Sequence, residues 1–217
     1  MRSSLQGETL RRARALVARG PRRILGIAGA PGAGKSTFAR QLVEALGGGA
    51  VLVPMDGFHL AQAELERLGR AHRKGAPDTF DVEGYLALLA RLRTPSAGVT
   101  VYAPAFDRDL EEPVAGSIAV PPDAPLIVTE GNYLLHDVGP WARVRSLLDE
   151  TWYLELDRDT RVRRLVERHV AHGKERGDAE RWVARSDEAN ARLVAPGRHR
   201  ADHVVRSGPP ARHGAPS

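Results

Sequence analysis

Eight consecutive residues constrain this chain more than any others: Gly29-Ala30-Pro31-Gly32-Ala33-Gly34-Lys35-Ser36, which fit the pattern G-x-x-x-x-G-K-[ST]. An apolar run, Ile24-Leu25-Gly26-Ile27-Ala28, precedes them, and a helical pattern starts at Lys35. Strand, glycine-rich turn and helix in that order form a phosphate-binding loop. The glycines let backbone N–H groups turn inward around a polyphosphate, and the helix N-terminus adds partial positive charge. Lys35 is then expected to reach the β- and γ-phosphates, and Ser36 to ligate Mg²⁺. A purine nucleoside triphosphate with Mg²⁺ is the first inference.

Apolar runs alternate with helical patterns along most of the chain. Residues 5–19 form an amphipathic pattern, with Leu5, Leu10, Ala13, Leu16 and Val17 on one side, and Gly20-Pro21 ends it. Strands are expected at 24–28, 50–53, 99–102, 126–129, 151–156 and 201–205. Helices are expected at 35–46, 60–68, 82–92, 141–148, 160–172 and 178–194, with Asp81 as the N-cap of the third. Residues 111–122, with Pro113, Gly116 and Pro121-Pro122, read as a hairpin or a loop. Such alternation implies an α/β fold with a mainly parallel sheet covered by helices on both faces, and ligands at the carboxyl ends of its strands. That rule brings Gly29, Asp56, Asp107 and Glu130 to one rim. One domain over 1–205 is expected, with the helix of 4–19 packed on it and a disordered tail at 206–217 rich in glycine and proline.

The chain has 217 residues, no cysteine and a formal net charge of +5. Disulfides, zinc thiolates and thiol catalysis are therefore excluded, and a cytoplasmic setting is expected. No apolar run approaches a membrane span, and the first twenty residues lack the pattern of a signal peptide. Of 32 basic residues only Lys35, Lys74 and Lys174 are lysines, and the arginines are scattered. A nucleic-acid partner is not favoured; the positive balance suits anionic nucleotides.

Three further segments bear on chemistry. Strand two runs into Met55-Asp56-Gly57-Phe58-His59, next to the phosphate loop. Phosphoryl transfer to a hydroxyl needs a carboxylate there to orient the acceptor and take its proton. Leu126-Ile127-Val128-Thr129-Glu130 ends a β-prone run in an acid, which suits a metal carboxylate bridging the phosphates. Arg161, Arg164 and Arg168 share a helix face that could close over phosphates and stabilise transition-state charge. The basic loop at Arg73-Lys74 could fix an anionic group of the acceptor or the transferring phosphate. An ordinary solvated helix and a solvated loop are the plain alternatives for these last two.

With these motifs the sequence resembles the phosphoribulokinase/uridine kinase superfamily, and within it type I pantothenate kinase-like and nucleoside or sugar kinase-like proteins. The resemblance rests on GAPGAGKST, MDGFH, RKGAPDTFD at 73–81, PAFDRDLEEPV at 104–114 and VTEGNYLL at 128–135, and it covers residues 22 to about 205. It implies a P-loop three-layer fold with a helical lid at about 158–177, and transfer of the γ-phosphate of ATP to a hydroxyl. The implied ATP-binding residues are Gly29, Ala30, Pro31, Gly32, Ala33, Gly34, Lys35, Ser36 and Thr37, with Ser36 and Glu130 at Mg²⁺. Asp56 is implied as general base, and Lys35, Arg164 and Arg168 as catalytic phosphate contacts. His59, Arg73, Lys74, Tyr102 and the Phe106-Asp107-Arg108 segment, with Asp107 foremost, are implied to shape the acceptor pocket together with Asp56 and Glu130, while Asp187 and Asn190 are implied near the nucleotide base. Uridine kinases carry Asp-Phe-Tyr where this chain has Asp56-Gly57-Phe58-His59, and pantothenate kinases are longer. The acceptor therefore stays open among pantothenate, a nucleoside and a sugar. Relatives of this kind are commonly homodimers.

Two rival readings use the same loop. A GTPase or ATPase switch acting on a protein partner would carry Asn-Lys-x-Asp or a Ser-Gly-Gly signature, and neither occurs. A nucleoside monophosphate kinase would not be expected to carry Asp56-Gly57-Phe58 directly after strand two together with KGAPDTFD.

Overall fold

A strand buried on both faces must be apolar at successive positions, and β1 (Arg23–Ala28) is buried from Ile24 onward. A computed structural model describes residues 7–206 of the chain. It orders five strands as β2-β5-β1-β6-β7, where β2 is Val51–Leu52, β5 Leu126–Gly131, β6 Glu150–Glu155 and β7 His203–Arg206. Every pairing is parallel. β1 aligns Ile24 with Ile127 and Ala28 with Gly131, so the phosphate loop and the end of β5 emerge side by side.

Alternation along the central strands divides the interior in two. Leu25, Ile27, Leu126 and Val128 face α1 (Gly7–Val17) and α2 (Lys35–Ala45), and join Ala13, Leu16, Ala39 and Leu42 in one core. Ile24, Ala28 and Ile127 face the other way, onto α4 (Val82–Arg93), where Tyr85, Leu89 and Leu92 are fully buried. Burial of such a side chain contributes about 1.5–3 kcal/mol against exposure. The Asp81 side chain accepts a hydrogen bond from Gly84 N at 2.9 Å, the expected N-cap. α3 (Gln62–Arg67) matches the weak helical pattern there. The architecture is thus the expected one: α/β, with a parallel sheet between helical layers.

Local departures have identifiable causes. Residues 111–122 are not a loop: β3 (Val101–Asp107) and β4 (Glu112–Val120) form an antiparallel hairpin outside the main sheet, with a bulge between Ala103 and Ala105. Its tip is tight enough to put Glu111 at φ 55°. Residues Gly139–Leu147 coil as 3₁₀ rather than α-helix; the buried Trp141 and Val144 are three apart, one 3₁₀ turn. Beyond α5 (Arg158–Ala171), the expected helix over 178–194 is three pieces: α6 (Arg176–Trp182), a π-turn at Val183–Asp187 and α7 (Glu188–Val194). The wide turn brings both Asp187 and Glu188 to the buried side. Strand β7 takes in Arg206, which the tail reading had included; residues 1–6, with Leu5, and 207–217 lie outside the described residues. No described helix is long and apolar enough to cross a membrane.

Candidate active site

The loop between β1 and α2 needs left-handed backbone, and glycine supplies it. Gly32 has φ 79°, and a Cβ there would lie 2.9 Å from the Arg161 carbonyl oxygen and 2.7 Å from Leu165 Cγ. No other residue lets α5 approach the loop so closely. Arg161 fixes that approach by donating to the Pro31 carbonyl at 3.2 Å while pairing with Glu188 of α7. Of the three arginines expected on one face, Arg161 therefore braces the loop from behind. Arg164 and Arg168 turn into a cavity of about 960 Å³ at the carboxyl ends of the strands.

That cavity gathers most of the expected site. Its wall includes Pro31, Gly32, Gly34, Lys35, Ser36 and Thr37 from the loop, with Asp56, His59, Lys74, Glu130, Arg164 and Arg168. Lys35 Nζ donates to Asn132 Oδ1 at 2.7 Å and to the Ala30 carbonyl at 3.1 Å. Burial draws its pKa down, against the opposing pull of Glu130 and Asp56. Ser36 Oγ donates to Glu130 Oε1 at 2.7 Å. Burial, then the nearby Asp56 carboxylate, raises the pKa of Glu130, with Lys35 acting the other way. Two carboxylates and one lysine thus share the floor of the cavity, an arrangement that takes up cationic charge.

The acceptor side is assembled by backbone pairing between two motifs far apart in sequence. Leu60 N donates to Thr79 O and Asp81 N to Phe58 O, which clips the MDGFH turn to the KGAPDTFD loop. His59 consequently stacks on Phe80 at 4.0 Å and meets Phe106 of the hairpin edge-on at 5.2 Å. Its Nδ1 is buried without a hydrogen-bond partner, and burial drives its pKa down to about 4. Gly57 lets the hairpin come near: a Cβ there would sit 2.3 Å from the Pro104 carbonyl oxygen. Arg108, at the hairpin tip, then reaches Asp56 Oδ2 at 2.9 Å. The Gly75 carbonyl accepts from Tyr133 Oη at 2.6 Å and Asn190 Nδ2 at 3.2 Å.

Several expected residues lie elsewhere. Arg73 pairs with Asp78 at 2.8 Å, outside the cavity wall. Asp107 spends its carboxylate on the N–H groups of Asp109 and Leu110, at 2.9 and 3.0 Å, holding its own turn. Tyr102 is 61% exposed because its neighbours Val101 and Ala103 take the buried side of the strand. Ala30 and Ala33 line a separate depression of about 440 Å³ behind the loop, and Gly29 lies against Leu154 O, where a Cβ would come within 2.6 Å. Asp187 and Asn190 do face the main cavity, but Asn190 is bonded to the acceptor-side loop, and Asp187 meets His169 Nε2 at 3.0 Å. Sequence reasoning did not single out Asn132, and it named Arg108 only within the Phe106 to Arg108 segment of the acceptor pocket, not as a partner of Asp56.

A parallel sheet, a phosphate loop on α2 and a carboxylate ending the neighbouring strand define a P-loop nucleoside triphosphate-binding protein. The phosphoribulokinase/uridine kinase family model matches residues 24–212, and the chain belongs to this family. It is 38% identical over 145 residues to the ATP-dependent kinase-like protein notR' of Aspergillus versicolor, covering 63% of this chain and 84% of that one. With a candidate uridine kinase of Schizosaccharomyces pombe it shares 35% identity over 175 residues, 76% of this chain and 74% of the relative. The crystal structure of a candidate fructose transport system kinase from Silicibacter sp. TM1040 superposes with a TM-score of 0.82 at 37% identity, covering 92% of this chain and all of that one. The chain is accordingly a kinase with a hydroxyl acceptor, and the switch reading is set aside.

Proposed function

We propose that the protein transfers the γ-phosphate of ATP to a hydroxyl of a small pantothenate-, nucleoside- or sugar-like acceptor, within a single kinase domain over 1–205. The observation that carries this is the convergence of Lys35, Ser36, Glu130 and Asp56 on one cavity, with Arg164 and Arg168 above them. Ser36 and Glu130, 2.7 Å apart, fit Mg²⁺: one carboxylate and one hydroxyl leave room for phosphate oxygens and water, and a buried acid is short of positive charge. Among the described residues there is no group of three acidic, His or Cys side chains placed to hold a metal ion. When bound, the ion neutralises charge across the β- and γ-phosphates.

Lys35 would exchange its bond to the Ala30 carbonyl for phosphate oxygens. Asp56 orients the acceptor hydroxyl and takes its proton as the new oxygen–phosphorus bond forms and the bond to the β-phosphate oxygen breaks. Arg164 and Arg168 make no hydrogen bond or ion pair through their guanidinium groups among the described residues, which leaves both for the phosphoryl group. Residues of about 158–177 act as the lid that carries them. Leu165 and Val166 pack with Ala179 and Val183, just beyond the segment, in a small apolar cluster separate from both main cores, while Arg161 anchors the start of the segment to the phosphate loop. A cytoplasmic setting and a homodimer go with this reading as expectations of the resemblance.

The test is ADP release from Mg·ATP against a panel of pantothenate, nucleosides and sugars. Asp56→Asn is expected to lower turnover by about 100-fold or more while nucleotide affinity changes little. Near-normal turnover in that variant removes Asp56 as the base.

A further inference from the structure

The acceptor end of the cavity holds a charge arrangement that the transfer reaction itself unbalances. One aromatic ring, Phe106, carries two cations: the Arg108 guanidinium carbon lies 4.9 Å from its centroid and Lys74 Nζ 5.4 Å. Only Arg108 has a carboxylate, and that carboxylate is Asp56. Lys74 Nζ donates to a neutral group, the Glu111 carbonyl at 2.8 Å, and makes no ion pair among the described residues. Arg70 and Arg73, on the same loop, differ: Asp78 serves both, at 3.6 and 2.8 Å. Of the other carboxylates on the hairpin turn, Asp107 accepts from the N–H groups of Asp109 and Leu110 and Glu112 from Gln62 N, while Asp109 and Glu111 are exposed, where water screens them.

Resting on the kinase reading above, two consequences follow once Asp56 acts as base. Arg108 occupies one of its two oxygens, so an acceptor hydroxyl competes with a guanidinium for the same carboxylate. And when Asp56 takes the proton it becomes neutral, which strips Arg108 of its counter-charge beside a lysine that has none. Two cations sharing one ring then have only water to screen them, the Arg108 side chain being 56% exposed, and an anion fixed beside the reacting hydroxyl would pair with both. His59 closes the same end as a neutral imidazole wedged between Phe80 and Phe106, with an unpartnered Nδ1.

We propose that the acceptor is a small anionic hydroxy compound whose carboxylate or phosphate is bound between Lys74 and Arg108, drawing Arg108 off Asp56 as it binds. Neutral sugars and free nucleosides lack the group that this pair of cations is built to meet.

The experiment measures ADP release by the full chain with Mg·ATP against size-matched hydroxy carboxylates, sugar phosphates, neutral sugars and nucleosides. At least one anionic class is expected to turn over, and which of the two responds identifies the anion. The neutral counterpart of the responding acceptor, its methyl ester or its dephosphorylated form, should raise KM. Arg108→Met and Lys74→Met should each raise KM for the anionic acceptor by about tenfold or more, the worth of one charge-assisted hydrogen bond, and shift KM for ATP far less. Arg108→Lys should recover part of the loss. Preferred use of a neutral sugar or nucleoside, with KM unmoved in both methionine variants, overturns the proposal while leaving the kinase reading intact. ADP release that no acceptor stimulates removes the kinase reading, and this inference with it.

Discussion

His59 shows how a single side chain can record its surroundings in a pH profile. Its imidazole is held neutral by burial, with a folded pKa of about 4 against an ordinary value of 6.5. The folded state therefore binds fewer protons than the unfolded one between those values. The stability that neutral His59 contributes is fully present above about pH 6.5 and is lost as pH falls through about 4. Wild type should accordingly lose up to about 3 kcal/mol more than His59→Asn between pH 7 and pH 4. Denaturant unfolding at both pH values measures the difference, and the carboxylates common to both proteins cancel. Equal losses in the two proteins would mean that the ring is hydrated in solution. Asp56 and Lys35 are the other residues whose partners matter: Arg108 holds the first, and Asn132 with the Ala30 carbonyl holds the second.

At the level of elements, α5 and the phosphate loop depend on each other. Arg161 is buried and links the Pro31 carbonyl to Glu188; burial alone would raise the pKa of Glu188, but Arg161 and Arg158 hold it below the usual carboxylate range. Removing Arg161 strands a buried carboxylate, with only the exposed Arg158 left to serve it. Arg161→Met should therefore lower stability by about 2–4 kcal/mol, seen as a drop in Tm, and weaken nucleotide binding because the loop loses its brace. A variant with wild-type Tm would show that Gly32 packing alone sets the loop. Elements with strong local signals were readable in advance: β1, α2, the Asp81 cap of α4 and the apolar run of β5 all rest on periodicity and turn residues. The 3₁₀ segment at Gly139–Leu147 and the π-turn at Val183–Asp187 were not. There the hydrogen-bond spacing is chosen by tertiary burial of Trp141, Val144, Asp187 and Glu188, not by residue propensity. The same divide separates the site residues. Glu130 ends β5, the neighbour of β1, and Asp56 follows β2 one strand further out, so the strand order brings both to the rim of the loop. Arg108 and the misplaced Asp107 and Tyr102 depend on the twist, bulge and tip of a hairpin that short-range patterns do not specify, while Asn132 lies just past β5, where no local pattern marks it as a partner of Lys35.

Across the whole molecule, nucleotide binding joins the two faces of the sheet, since α2 lies on one core and the Asp56 and Glu130 segments border the other. A ligand held at 100 times its Kd stabilises the fold by about 2.7 kcal/mol. Mg·ATP at that excess should raise Tm of the wild-type chain by several degrees. Lys35→Ala should abolish most of that shift at the same nucleotide concentration, and an undiminished shift would place the triphosphate elsewhere. The hairpin stands apart from this frame. Its ladder closes on itself, β3 with β4, and the five-stranded sheet owes it no hydrogen bond. Apart from Val101, Ala103 and Val120, which are buried in the core shared with α4, the residues of this hairpin can therefore diverge without disturbing the strands that align the phosphate loop with Glu130. In evolutionary terms the chain couples an inherited engine to an exchangeable reader: transplanting this one ribbon between relatives is the shortest route by which such a kinase could change what it phosphorylates.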